Sequence, residues 1–86
     1  MLFKKKQIDI TVYSVPGCHL CDEAIALIDS FSSKYELDTN IVDILSSPEL
    51  IKKYQHDVPV VFAGGEEIFR HRIGRDELAQ IFKKIK

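Results

Sequence analysis

The hydrophobic period of this chain changes from that of a strand to that of a helix within a few residues after Ser14, and that change restricts the fold more than any other feature. Ile8, Ile10 and Val12 alternate with Asp9, Thr11 and Tyr13, the period of a strand over Gln7 to Ser14. Val15-Pro16-Gly17 breaks that pattern. From Leu20 onward Leu20, Ala24, Leu27, Ile28 and Phe31 fall on one helical face, with Ser32-Ser33 and Lys34 near the end of the helix. A strand therefore hands over directly to a helix, and Cys18 and Cys21 occupy the junction.

The remaining segments extend this βα start. A second strand is expected within Leu37 to Ile44, centred on Ile41-Val42. Ser46-Ser47-Pro48-Glu49 opens a short helix, with Glu49 three residues after Ser46 as in a capping box, and with Leu50, Ile51 and Tyr54 as its apolar contacts. Val58-Pro59-Val60-Val61-Phe62-Ala63 reads as a buried strand. Gly64-Gly65 supplies the positive φ angles of a two-residue hairpin, so Glu66 to Arg72 returns as an edge strand guarded by Arg70 and Arg72. The last helix starts near Gly74 and carries Leu78, Ile81, Phe82 and Ile85 inward, with Asp76 and Glu77 at its favourable end. The order is βαβαββα. It predicts one α/β domain over residues 1–86, a four-stranded mixed sheet with helices on both faces and a right-handed first crossover.

Composition narrows the function classes. At 86 residues the chain has room for one compact core. A formal net charge of −1 gives no electrostatic case for nucleic acid or an anionic membrane, and the lysines at 4–6 and at 83, 84 and 86 read as solvated chain ends. No apolar run approaches the roughly 18–20 residues of a membrane span. Met1-Leu2-Phe3 runs straight into lysines, unlike the apolar middle of a secretory signal. A monomer in the cytoplasm is the expectation. Two cysteines are too few for a secreted disulfide framework, and a bridge across so small a loop adds little by constraining the unfolded chain. A bond between Cys18 and Cys21 is better explained by chemistry than by stability.

That chemistry is thiol–disulfide exchange. The thiolate is the reacting species, and the free N–H groups and dipole of a helix N-terminus stabilise it. Cys18 falls at that exposed end as the nucleophile, and Cys21 falls most of a turn further in as the resolving thiol. The competing use of two cysteines at this spacing is half of a zinc site. His19, His56 and His71 are present, but the sequence has no second cysteine pair and no close histidine pair to complete one. Asp22 stands where covalent haem attachment requires histidine.

These residues resemble the glutaredoxin branch of the thioredoxin superfamily, and most of all the short glutaredoxin-like proteins of bacteria. The resemblance rests on Val12-Tyr13-Ser14, Pro16-Gly17-Cys18-His19-Leu20-Cys21, Val42-Asp43-Ile44, Val58-Pro59 and Gly64-Gly65. It implies a thioredoxin fold, a cis proline at Pro59 facing the cysteines, and a Val58 backbone that pairs with the substrate. It also implies a small dithiol oxidoreductase that reduces protein or glutathione mixed disulfides, with no tightly bound cofactor, served by a thiol reductant system for which glutathione is a candidate. The chain departs from the family in three places. Val15 is apolar where glutaredoxins carry a basic residue. Arg72-Ile73-Gly74-Arg75-Asp76 stands in place of their glutathione-holding Gly-Gly…Asp stretch, after a longer last strand more like a thioredoxin's. Val12 replaces the buried acid of thioredoxins. His19 has two open readings, a charge that favours the Cys18 thiolate or a solvated loop residue. A different functional class, a non-catalytic metal or iron–sulfur module using Cys18, is the alternative, and the missing glutathione stretch weighs against it.

Overall fold

The computed structural model describes residues 4–85; Met1, Leu2, Phe3 and Lys86, which entered the reading of the chain ends, lie outside it. The elements are β1 (Lys6–Ser14), α1 (His19–Asp29), β2 (Tyr35–Asp43), a 3-10 turn (Ile44–Ser46), α2 (Pro48–Tyr54), β3 (Val60–Ala63), β4 (Glu66–Arg70) and α3 (Arg75–Lys84). The sheet order is β2-β1-β3-β4, with β1 and β2 parallel and the other neighbours antiparallel. This is the thioredoxin fold in the expected βαβαββα order.

The sheet separates two apolar clusters. Ile8, Ile10 and Val12 of β1 share a face with Val61, Ala63 and Phe69, and meet Ala24, Ile28, Leu78 and Phe82 from α1 and α3. Phe82 is fully buried and meets Phe31 and Tyr35 edge-on at centroid distances of 5.2 and 5.4 Å. On the opposite face a smaller cluster of Ile44, Tyr54 and Val60 is flanked by Tyr13, Val15, Leu50, Val58 and Phe62. Helices thus cover both faces, α2 alone on the second.

Several boundaries differ from the sequence reading, each for a local reason. α1 ends at Asp29, short of Phe31, because the chain tightens: the N–H groups of Phe31, Ser32 and Lys34 each bond three residues back and the Ser30 hydroxyl donates to the Leu27 carbonyl at 2.6 Å. β2 begins earlier, at buried Tyr35, and Ile41, expected at its apolar centre, is 52% exposed because β2 is an edge strand. The cap of α2 is Ser47, which accepts from the Leu50 N–H at 3.4 Å, with Pro48 in the first helical position. Ser46, the expected cap, belongs to the 3-10 turn and donates its hydroxyl to the Asp43 carbonyl at 2.7 Å. The hairpin forms as expected, with φ of 59° at Gly64 and 85° at Gly65.

β4 is shorter than expected and is not regular. It stops at Arg70, where His71 takes a left-handed φ of 63°, so the longer thioredoxin-like last strand is corrected. Its pairing with β3 runs Val60 to Arg70 and Val61 to Phe69, then skips to Phe62 opposite Glu67. Ile68 is therefore an extra residue, a β-bulge. The bulge resets the side-chain alternation, so Glu67 and Arg70, three apart, both take the face of Val60 and Phe62.

Candidate thiol–disulfide site

The turn after β1 sets the cysteines at the entry to α1. Gly17 takes a φ of 76°, a conformation that costs glycine little, and Cys18 follows in an extended conformation as the N-cap. The Cys18 sulfur accepts the Cys21 backbone N–H at 3.1 Å, and the Cys18 carbonyl accepts the Asp22 N–H at 3.1 Å. A sulfur thus fills the position that a serine or aspartate oxygen commonly holds. Cys18 and Cys21 are disulfide-bonded, with Cα atoms 5.2 Å apart. Their exposures differ: Cys18 is half-buried, whereas Cys21 is 2% exposed within α1. His19 is exposed as the first residue of α1, and Asp22 and Glu23 lie exposed in the next positions.

Register brings the other residues to the same end of the sheet. Ser14, the last residue of β1, pairs with Asp43 of β2, and Tyr13 pairs with Val60 of β3. Because β3 runs antiparallel to β1, the residues entering it emerge where the cysteine turn leaves β1. Those residues are Val58 and Pro59, joined by a cis peptide bond. Pro59 is buried and Val58 half-buried. The Pro59 carbonyl accepts the His71 N–H at 2.8 Å, so the segment after β4 reaches this end too. The structure therefore gathers Cys18, Cys21, Val58 and Pro59 at one end of the sheet, in adjacent connections. His56 is exposed, and His71 pairs with Asp57.

Two features escaped the sequence reading. The first is a groove of about 200 Å³ between α1 and the segment after β4, with Leu20, Ala24, Leu27 and Ile73 on its walls and Glu23 and Arg72 at its rim. The Arg72 guanidinium lies 3.9 Å from the Glu23 carboxylate, both well exposed. The helical pattern gives Leu20 and Leu27 only a packing role, because the segment that faces them, with Arg72 and Ile73, lies far along the chain. The second is a charged group around Arg70. Its Nε and Nη2 donate to the two carboxylate oxygens of Glu67 at 2.6 and 3.0 Å, and its Nη1 lies 3.1 Å from an Asp57 oxygen. The Arg70 hydrogen bond holds the Glu67 carboxyl below its ordinary range and raises Arg70 in turn. No sequence pattern announces this pair, since residues three apart in a regular strand face opposite ways. Among the described residues no group of three or more His, Cys, Asp and Glu is placed to hold a metal ion, and no helix is long and apolar enough to cross a membrane.

Comparison with known proteins agrees with this geometry. The family profile of the Glutaredoxin-like domain (DUF836) matches residues 9–83. A glutaredoxin-like protein of Dictyostelium discoideum, described as the YDR286C homolog, is 30% identical over 79 residues, covering 85% of this chain and 73% of its own length. Among solved structures, protein Ne2328 of Nitrosomonas europaea superposes with a TM-score of 0.70 at 28% identity, over 94% of this chain and 98% of its own. A mutant thioredoxin from Halobacterium salinarum NRC-1 shares the fold at a TM-score of 0.57 and 18% identity, covering 91% of this chain and 74% of that one.

Proposed function

This chain belongs to the glutaredoxin-like domain family, and from that premise we propose that it is a dithiol oxidoreductase that reduces protein or glutathione mixed disulfides. The observation that carries the reading is the Cys18 sulfur at the N-cap of α1, accepting a helix N–H, with buried Cys21 within bonding reach. A sulfur so placed is favoured as the thiolate, because unpaired helix N–H groups and the helix dipole stabilise negative charge there.

The reaction runs in two exchanges. The Cys18 thiolate attacks one sulfur of the substrate disulfide; the Cys18–substrate bond forms, the substrate bond breaks, and the first substrate sulfur leaves as a thiolate that takes up a proton. Cys21 then loses its proton and attacks the Cys18 sulfur. The mixed disulfide breaks, the second substrate thiol departs, and Cys18 and Cys21 are left bonded. Two electrons pass to the substrate. A thiol reductant of the cell, for which glutathione is the candidate, restores the dithiol. Val58, beside the cysteine turn, offers its peptide groups to the extended substrate segment, and buried Pro59 fixes where they stand. A reducing compartment, the cytoplasm, suits this chemistry.

The experiment uses a mixed disulfide between glutathione and a cysteine peptide, with the glutathione and the thioredoxin reductase systems as alternative donors. The wild type should reduce it, Cys18→Ser should lose the activity, and Cys21→Ser should accumulate a covalent mixed species or retain only one-thiol turnover. A Cys18→Ser protein that works at the wild-type rate would end the assignment.

A further inference from the structure

The bulge at Ile68 places two charges where a regular strand would separate them. Glu67 and Arg70 share the α2 face, and Glu67 holds the Arg70 guanidinium by two parallel hydrogen bonds of 2.6 and 3.0 Å. This bidentate arrangement fixes orientation as well as distance. The third nitrogen of the fork is thereby aimed across the sheet end at Asp57, 3.1 Å away. The guanidinium carbon sits 5.7 Å from the Tyr54 ring centre, and Tyr54 is buried and stacked on Tyr13 at 5.0 Å. Arg70 is thus pinned from below by an aromatic ring and from the side by its own strand.

Asp57 is the residue two before Pro59, and it is gripped at several points. Its N–H donates to the Tyr54 carbonyl at 2.8 Å, one carboxylate oxygen faces Arg70, and the other lies 3.3 Å from His71 Nε2. On the far side the His71 N–H donates to the Pro59 carbonyl at 2.8 Å. The segment Asp57–Val58–Pro59 is therefore anchored at both ends, and Val58 is the residue suspended between the anchors.

We propose that Arg70, oriented by Glu67 across the β4 bulge, is a positioning residue that fixes the Val58 peptide groups for substrate by holding Asp57. The inference rests on the substrate role given above to Val58. Arg70 touches neither sulfur. Its action is on substrate binding, not on the reactivity of the cysteine pair.

The test compares the wild type with Arg70→Met, which keeps an apolar stem over Tyr54 and loses the fork, with Asp57→Asn, and with the double variant, all on the glutathione–peptide mixed disulfide. Each single variant should raise KM about fivefold with kcat held within about twofold, and the double variant should be no worse than the poorer single. Arg70→Lys, which keeps the charge without the fork, should fall between wild type and Arg70→Met. The Cys18–Cys21 reduction potential and the rate of Cys18 alkylation should not move. An unchanged KM, or equal changes in KM, potential and alkylation rate, would overturn the role of Arg70 while leaving the oxidoreductase reading intact. A wild type inactive toward every disulfide offered defeats that reading and the substrate role of Val58 together.

Discussion

Alkylation of the reduced protein should discriminate sharply between two cysteines three residues apart. Cys21 is 2% exposed, so a reagent reaches it only when the first turn of α1 opens. Opening that turn breaks the bond from the Cys21 N–H to the Cys18 sulfur and the bond from the Asp22 N–H to the Cys18 carbonyl, each 3.1 Å long. At about 1 kcal/mol net for each bond, the open form costs about 2 kcal/mol, which corresponds to about thirtyfold protection. Cys18, half-buried at the entry to α1, needs no such opening to be reached. Iodoacetamide at limiting extent, followed by mass-spectrometric peptide mapping, reads the ratio directly. Equal labelling, or labelling of Cys21 first, would refute the division of roles between nucleophile and resolving thiol.

Two further outcomes test other parts of the molecule. Phe82→Ala should cost about 3–5 kcal/mol in a urea titration, a large share of the roughly 4–13 kcal/mol expected for 86 residues; a loss below about 1 kcal/mol would mean that the cluster around Phe31 and Tyr35 closes over the gap. The lowered pKa of Glu67 means that its contribution to stability is complete above its ordinary value of 4.5 and fades as the pH falls below that value. The urea midpoints of wild type and Glu67→Gln should therefore converge between about pH 6 and about pH 3, and a gap that widened in acid would contradict the Arg70 pairing.

Much of the fold was legible because its signals are local. The alternation of Ile8, Ile10 and Val12, the break at Val15-Pro16-Gly17 and the Gly64-Gly65 hairpin each act within a few residues, and each appears in the structure where it was expected. Boundaries failed where two local solutions compete. Ser46 and Ser47 can each cap a helix, and the 3-10 turn that takes Ser46 depends on the chain direction leaving β2. The spacing of Cys18 and Cys21 and the Val58–Pro59 pair were readable as motifs. Their shared position was implied only by the family resemblance and not by the local pattern, because it follows from the strand order β2-β1-β3-β4. Still less readable was the group around Arg70. It needs one surplus residue at Ile68, and a bulge shows itself only in how one strand meets another.

The capping sulfur of α1 has a consequence for how this protein can be observed. The Cys21 N–H points at the one atom whose bonding changes at every step of the exchange. In the exchange proposed above that atom would be in turn an anion, a link to substrate and half of an internal bond, and each differs in how strongly it draws a proton toward itself. A single amide resonance should therefore take a distinct frequency in every state of the cycle. Under that proposal the Cys21 amide would serve as a built-in gauge of the state of the pair.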